Sequence, residues 1–392
     1  MIVGIDIRHL AARRSGGIAG YTVHLVDYLS KVFPNTTFKL FSAGRSSSFA
    51  ENIWLKKSNI VLKHINVPNR FLDPSLRFLK IPHIDRFMGG VDVFLSPHFL
   101  LTALSVSCPR VLVIHDLSFV RFPELFSRQD KLWHGLMDPK SQAQKAARIV
   151  AVSLATKKDL INIWGISSKK IEVIYSGIEA SFLDRLAQSE EKEEIKKKYN
   201  LPERFILALS VIEPRKNYIN LIKAFEILKS SQNKSIENLS LVIAGPLVHG
   251  AATTIAAAKR SPLSSRIIFT DFIEEKDKPL VYDLSDIFVY PSIFEGFGFP
   301  PLEAMARGIP TIVSNRSSLP EITGEAALSI DPYNISALAG AMGRLLEDID
   351  AHSFLKQKGR DKAKTYDWNN TAKQVHFILE QTANSNKTLV LS

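Results

Sequence analysis

Glu295 and Glu303 are two carboxylates with seven residues between them: Gly296, Phe297, Gly298, Phe299, Pro300, Pro301 and Leu302. The glycines can take positive φ and bring bare backbone N–H groups against a ligand, and the prolines preset a helical turn that Leu302-Glu-Ala-Met-Ala306 continues. The pattern predicts a loop that presents Glu295 and a helix that presents Glu303 in its first turn. Free N–H groups at such a helix start favour anionic or hydroxyl-rich ligands. Taken singly, the glutamates have a plainer reading, Glu303 offsetting its helix dipole and Glu295 a solvated loop charge. A second pair, Arg215 and Lys216, lies in Val211-Ile-Glu-Pro-Arg-Lys-Asn217. Adjacent guanidinium and ammonium groups can neutralise a diphosphate, one as a planar fork and the other as a point charge. His115 adds an imidazole with no second basic partner beside it, which fits hydrogen bonding or positioning better than activation of a nucleophile.

These groups need strands to hold them, and each follows a short apolar run. Asp286–Tyr290 precedes the glycine loop, Phe205–Ser210 precedes Arg215, and Arg110–Ile114 precedes His115. Further runs at Ile2–Ile7, Val91–Leu95, Arg148–Val152, Ile171–Ile174, Leu241–Pro246 and Arg266–Ile273 complete an alternation of strands and helices. That alternation implies an α/β fold with open sheets, in which ligands bind outside the carboxyl ends of the strands. Gly16 and Gly17 fall between the first strand and an amphipathic helix marked by Val23, Leu25, Val26 and Leu29. Glu190–Lys198 reads as a solvated helix pairing Glu193 with Lys197 and Glu194 with Lys198. Trp368, Ala372, Val375 and Leu379 recur at helical spacing, and Asn384-Ser-Asn-Lys-Thr then reads as a frayed tail.

The chain has 392 residues, enough for two domains with separate cores. Hydrophobic content of 45% and charged content of 23% are those of a soluble globular protein. No apolar run reaches the length of a membrane span, and the first residues form a strand pattern without the basic region of a signal peptide. The single cysteine, Cys108, reads as a small buried hydrophobe and excludes an intrachain disulfide, which points to a reducing, cytoplasmic compartment. Charge is uneven: residues 1–178 hold 24 Lys and Arg against 12 Asp and Glu, and the rest hold 26 against 27. The basic first half suits anionic lipid headgroups or a phosphorylated acceptor. Nucleic acid is not expected, because the cations are scattered without a recognised motif. Arg70–Lys80 mixes apolar and basic residues, and both an interfacial segment and a core-facing helix fit it.

The stretch Tyr290-Pro-Ser-Ile-Phe-Glu-Gly-Phe-Gly-Phe-Pro-Pro-Leu-Glu-Ala-Met-Ala-Arg-Gly308 resembles the E-x7-E motif of retaining GT-B glycosyltransferases, in particular glycosyltransferase family 4. Ala304-Met-Ala-Arg-Gly-Ile-Pro-Thr-Ile-Val313 looks like the helix, turn and next strand usual in that family, Leu319-Pro-Glu-Ile322 and Gly324-Glu-Ala-Ala327 look like its continuation, and Glu213-Pro-Arg-Lys-Asn217 resembles the family's diphosphate loop. The resemblance covers nearly the whole chain. It implies two Rossmann-like doubly wound domains facing a central cleft. Residues 1–178 would bind the acceptor, residues 179–367 would bind the nucleotide-sugar donor, and a helix over 368–392 would cross back to the first domain. By the same resemblance, Glu303 accepts hydrogen bonds from the ribose and Glu295 holds the sugar hydroxyls. Gly296, Phe297 and Gly298 lie along the donor, Gly16 and Gly17 face its diphosphate, and His115 lies beside the transferring sugar. Backbone near Phe272 and Ile273 meets the nucleobase. No cofactor or metal is expected, in keeping with the missing Asp-x-Asp pair.

The function implied is a hexosyltransferase that retains anomeric configuration, by a covalent or a front-face route. His-Asp-Leu-Ser-Phe119 and the motif around Glu295 look most like mannosyltransferases of bacterial polysaccharide or lipid-linked glycan assembly, so the expected donor is GDP-mannose, with a UDP-sugar as the alternative. The expected partners are that donor, a glycan or lipid-linked acceptor, and the cytoplasmic face of the membrane through the basic first domain. A phosphorylase or hydrolase of the same fold would attack with phosphate or water, and the cofactor-lysine motif of the phosphorylases is not found. A catalytically silent GT-B subunit would have lost site residues, whereas Glu295, Glu303, Arg215, Lys216 and His115 all remain.

Overall fold

The apolar runs fold into two parallel sheets, as near-continuous Val, Ile and Leu segments do when both their faces are covered. The structure is a computed structural model and describes residues 1–11, 16–44, 56–184, 189–230 and 236–391. The first sheet holds β1 (Ile2–Asp6), β2 (Thr37–Ala43), β3 (Ile60–Ile65), β4 (Val93–Ser96), β5 (Arg110–Ile114), β6 (Arg148–Ala151) and β7 (Ile171–Val173). Its strand order is β3-β2-β1-β4-β5-β6-β7. The second holds β8 (Phe205–Leu209), β9 (Ser240–Ala244), β10 (Ile267–Thr270), β11 (Ile287–Tyr290), β12 (Thr311–Ser314) and β13 (Leu328–Ile330), in the order β10-β9-β8-β11-β12-β13. Register is tight: Ile5 lies opposite Leu40 on one side and Leu95 on the other.

Both orders reverse direction once. From β1 the chain builds outward through β2 and β3, then returns to add β4 on the other side; from β8 it builds through β9 and β10, then returns to add β11. The loops that leave such neighbouring strands part in opposite directions and open a crevice at their carboxyl ends. The β1/β4 and β8/β11 pairs are these switch points.

The first unit comprises Met1–Leu117, Arg128–Gly177 and Asp367–Ser392, and the second comprises Ser118–Ser127 and Ile178–Tyr366. The unbroken first range expected from sequence is thus interrupted at Ser118–Ser127. There Phe122 packs on Phe294 with ring centroids 5.6 Å apart, and the Arg121 guanidinium lies 5.9 Å from the centre of the same ring. In the first unit, the helix Trp368–Leu391 seats its buried Trp368 against Tyr21, His24 and Tyr28 of the helix Gly17–Val32. Thr371 donates to the Tyr175 carbonyl at 2.8 Å. Cys108 is buried, and burial pushes its thiol up to about 12.

Several local expectations are corrected. β2, β3 and β13 were not anticipated, and most strands are a residue or two shorter than their apolar runs. In the helix Ser189–Tyr199, Lys196 pairs with Glu193 and Glu203, while Lys198 pairs with Glu274 and Asp277, because acceptors outside the helix come closer than those on it. The backbone of the last helix continues to Leu391, through the stretch read as a frayed tail; its side chains from residue 386 lie outside the described residues. So do residues 12–15, just before Gly16. Arg70–Lys80 is core-facing in part, as one of its two readings expects. A short helix, Asn69–Pro74, and the turn Ser75–Leu79 bury Leu72 and Leu76 and leave Phe71, Phe78 and Leu79 exposed.

Candidate active site

The glycine loop leaves β11 and enters the helix Phe299–Arg307 through Gly298, whose φ of 111° suits glycine and whose Cβ, if added, would stand 2.8 Å from the Leu319 side chain. Glu303 is the fifth residue of this helix, so it lies in the second turn and not the first. Four serines brace the loop. Ser314 donates to the Ser292 carbonyl at 2.6 Å, and Ser318 donates to the carbonyls of Glu295 and Phe297 at 3.0 and 2.8 Å. The Glu295 N–H donates to Ser317 Oγ at 2.8 Å, and Ser292 Oγ donates to the Glu295 carboxylate.

The β8/β11 switch point brings the sequence-predicted groups of the second unit together. Arg215 and Lys216 lie in the turn Pro214–Lys216 after β8. Lys216 Nζ donates to Glu295 Oε1 at 2.6 Å and to the Tyr290 hydroxyl at 2.8 Å, and Arg215 Nη1 stands 2.9 Å from Glu295 Oε2. The other end of the guanidinium binds Glu213 Oε1 at 2.6 Å. The turn is tied to the glycine loop by the Ile293 N–H, which donates to the Arg215 carbonyl at 2.9 Å. Asn217, left-handed at φ 61°, adds its amide, which donates to the carbonyls of Pro291 and Pro332.

Burial sets the charges. It pushes the Glu295 carboxyl up, but the Arg215 and Lys216 charges and the hydrogen bonds from Lys216 and Ser292 outweigh it and hold the group at about 2. Lys216 is shifted down by burial and by Arg215, with Glu295 opposing. Glu303 differs. It is buried and accepts from the Tyr282 hydroxyl at 2.9 Å, and burial raises its pKa against the opposing charge of Lys278. One motif thus holds one firmly ionised carboxylate and one whose proton is held more tightly than usual. Glu295 and Glu303 have separate partners.

The Phe297 ring is buried on Phe299 and Tyr366, which leaves its backbone as the part that lies along the loop. After β10, Phe272 is exposed and Ile273 is buried. In the first unit, His115 follows β5. Its Nε2 donates to the Pro97 carbonyl at 2.8 Å, its ring meets Tyr21 edge-on at 4.9 Å, and burial pushes its pKa down. Its own carbonyl accepts from Thr156 at 3.0 Å, a residue fixed by the Ser153 cap of the helix Leu154–Trp164. Gly16 caps the helix Gly17–Val32 without a side-chain bond, and a Cβ there would meet nothing within 4 Å. Among the described residues no group of three or more His, Cys, Asp or Glu is placed to hold a metal ion. A groove of about 580 Å³ between the helices Tyr218–Ser230 and Ala251–Arg260 uses none of these groups. Sequence reasoning missed Glu213, Tyr282, Tyr290, Ser292, Ser317 and Ser318. Of these, Tyr290 and Ser292 stand inside the quoted motif and Glu213 inside the quoted loop, while the others join only through the fold.

Two doubly wound units, one with a carboxylate–cation cluster and a glycine loop at its switch point, define the GT-B class of α/β proteins. The chain belongs to the group 1 glycosyltransferases of family 4 type: the model described as "Glycosyl transferases group 1" matches residues 190–362, and "Glycosyltransferase Family 4" matches residues 15–182. Among its relatives, the serotype-specific mannosyltransferase WbdA of Escherichia coli is 31% identical over 281 residues, which is 71% of this chain and 34% of the relative. The chain therefore spans about a third of that protein's length. O-antigen chain mannosyltransferase B of Escherichia coli is 27% identical over 375 residues, 91% of this chain and 94% of the relative. The fold is that of sucrose-phosphate synthase from Thermosynechococcus elongatus, with a TM-score of 0.74 at 18% identity over 97% of this chain and 98% of the other.

Proposed function

We propose that this chain transfers a hexose, mannose from GDP-mannose, to a glycan or lipid-linked acceptor with retention of anomeric configuration. The observation that carries the reading is the Arg215–Lys216–Glu295 cluster at the β8/β11 switch point. Breaking the anomeric bond of a nucleotide sugar places positive charge on the ring and negative charge on the departing diphosphate. Arg215 and Lys216 take up the second, at a fixed and largely dry position where such charges act most strongly. In this structure both cations are held by Glu295, so an arriving diphosphate competes with it and frees its carboxylate for the sugar hydroxyls. Glu303 accepts from the ribose, and His115 of the first unit positions the transferring sugar. The positive charge comes from the side chains, and no metal takes part. The choice of mannose follows the similarity to the mannosyltransferases WbdA and O-antigen chain mannosyltransferase B, and that of O-antigen or similar envelope polysaccharide as product follows the second of these.

Calorimetric titration with GDP, UDP, GDP-mannose and UDP-glucose, in EDTA, tests this. Binding is expected for the guanosine ligands and is expected to fall at least tenfold in Arg215→Ala and Glu303→Ala. Preference for the uridine ligands would change the donor, and no binding at all would favour a catalytically silent subunit.

The same proposal places the chain at the cytoplasmic face of a membrane. No helix among the described residues is long and apolar enough to cross one. The first unit does expose Phe71, Phe78, Leu79 and Ile81 beside Arg70, Arg77 and Lys80, and Arg77 donates to the Leu136 carbonyl, which brings exposed Leu132 and Leu136 of a neighbouring helix to the same patch. Apolar side chains rimmed by cations suit an anionic bilayer surface. Sedimentation with vesicles containing phosphatidylglycerol is expected to carry the protein down, and Phe78→Ser with Leu79→Ser to abolish this; co-sedimentation that survives the double variant would reject the patch.

A further inference from the structure

The β1/β4 switch point of the first unit carries a cluster of which the transfer chemistry above uses His115 alone. His9 follows β1, His98 follows β4 and His115 follows β5, on three neighbouring strands. Their rings stand close: His9 to His98 at 5.9 Å between centroids and His98 to His115 at 6.4 Å. The loop after β1 is fixed from beneath by a buried ion pair, Arg8 Nη2 to Asp6 Oδ2 at 2.7 Å. Trp133 stacks on His98 at 5.9 Å and 20° and is itself only half-buried.

The hydrogen-bonding states follow from the partners. Thr22 Oγ1 donates to the Ile18 carbonyl at 2.9 Å, so it accepts from His9 Nε2 at 2.8 Å, and His9 Nδ1 is left with its lone pair. His115 spends its Nε2 proton on Pro97, so its Nδ1 is likewise an acceptor. Burial keeps His9, His98 and His115 neutral at physiological pH. Among the described residues, His9 Nδ1, His98 Nδ1 and the Tyr21 hydroxyl are buried polar atoms with no hydrogen-bond partner. An unpaired buried polar atom is costly, and native proteins keep that cost where something else completes the bond.

A ligand for this cluster must bring hydroxyls and an apolar face together. Bare imidazole nitrogens disfavour an anion and accept from O–H groups, Tyr21 can donate, and an indole plane packs against C–H groups. A metal ion is a poor fit, because among the described residues no group of three or more His, Cys, Asp or Glu is placed to hold one. We infer that His9, His98, Tyr21 and Trp133 form a subsite for a pyranose ring, with Trp133 as the stacking platform. Resting on the glycosyl-transfer reading, this subsite takes the terminal sugar of the acceptor.

Saturation-transfer difference NMR with methyl α-D-mannopyranoside, methyl α-D-glucopyranoside and methyl β-D-galactopyranoside at millimolar concentration tests it. At least one glycoside is expected to receive saturation at its ring C–H protons, severalfold less in Trp133→Ala, and close to the original level in Trp133→Phe, which keeps an aromatic face. His98→Phe, which keeps the stack and removes Nδ1, is expected to weaken binding with the melting temperature unchanged. If no glycoside is saturated, or if saturation survives Trp133→Ala, the subsite is wrong. Nucleotide titration of the same samples separates the two readings: glycoside binding at Trp133 without nucleotide binding leaves the subsite standing and overturns the transferase, and the converse overturns the subsite alone.

Discussion

At the scale of single residues, Glu295 and Glu303 are one motif with two electrostatic lives. Glu295 is held at about 2, below the ordinary glutamate value near 4.5, so its ionised form stabilises the fold at neutral pH, and that contribution is lost as pH falls from about 4.5 toward 2. The full difference is on the order of 3 kcal/mol by linkage. Glu295→Gln is therefore expected to unfold at lower urea concentration at pH 7, with the gap to the unsubstituted protein narrowing to roughly 1 kcal/mol by pH 3. A gap that is constant with pH would mean the cluster does not hold the charge. Glu303 has the opposite sign, since its raised pKa makes the buried charge a cost that grows as pH rises. Sequence alone located both carboxylates because glycine, proline and strand signals crowd around them. It could not rank their proton affinities, because Lys216, Tyr282 and Lys278 reach them through the fold.

At the scale of elements, what was legible is whatever sits in one contiguous strand, loop and helix. β11, the glycine loop and the helix Phe299–Arg307 satisfy that condition, and so do β8 and the Arg215 turn. β3 does not. Only Ile60 of its six residues is fully buried, so it lacks the apolar run that marks an interior strand, and its place at the sheet edge explains why. The helix Ser189–Tyr199 shows the same boundary from another side: spacing correctly marks a helix but cannot choose among partners for Lys198 when Asp277 arrives from a distant turn. His9 and His98 were illegible because each is a lone residue after its own strand, and Trp133 because it is a single residue inside the helix Arg128–Met137; only the strand order sets the two histidines beside each other.

At the scale of the molecule, the first unit is closed by the segment that follows the second. A Cβ on Gly177 would stand 2.3 Å from the Trp368 nitrogen and 2.7 Å from its Cα, so backbone and ring seat directly on the glycine. Overpacking of this kind costs about 1–3 kcal/mol or more where backbone must shift. Gly177→Ala is expected to speed hydrogen exchange in the helix Trp368–Leu391 while β8 to β13 keep their protection; unchanged exchange in that helix would show that other contacts anchor it. The same arrangement constrains the order of events during synthesis. A ribosome releases the seven strands of the first sheet early, yet the helix that covers Tyr21 and Tyr28 emerges only after all six strands of the second have been made. The second unit is free to finish folding as it leaves the tunnel, while the first must wait, with an aromatic seat uncovered, for its last piece.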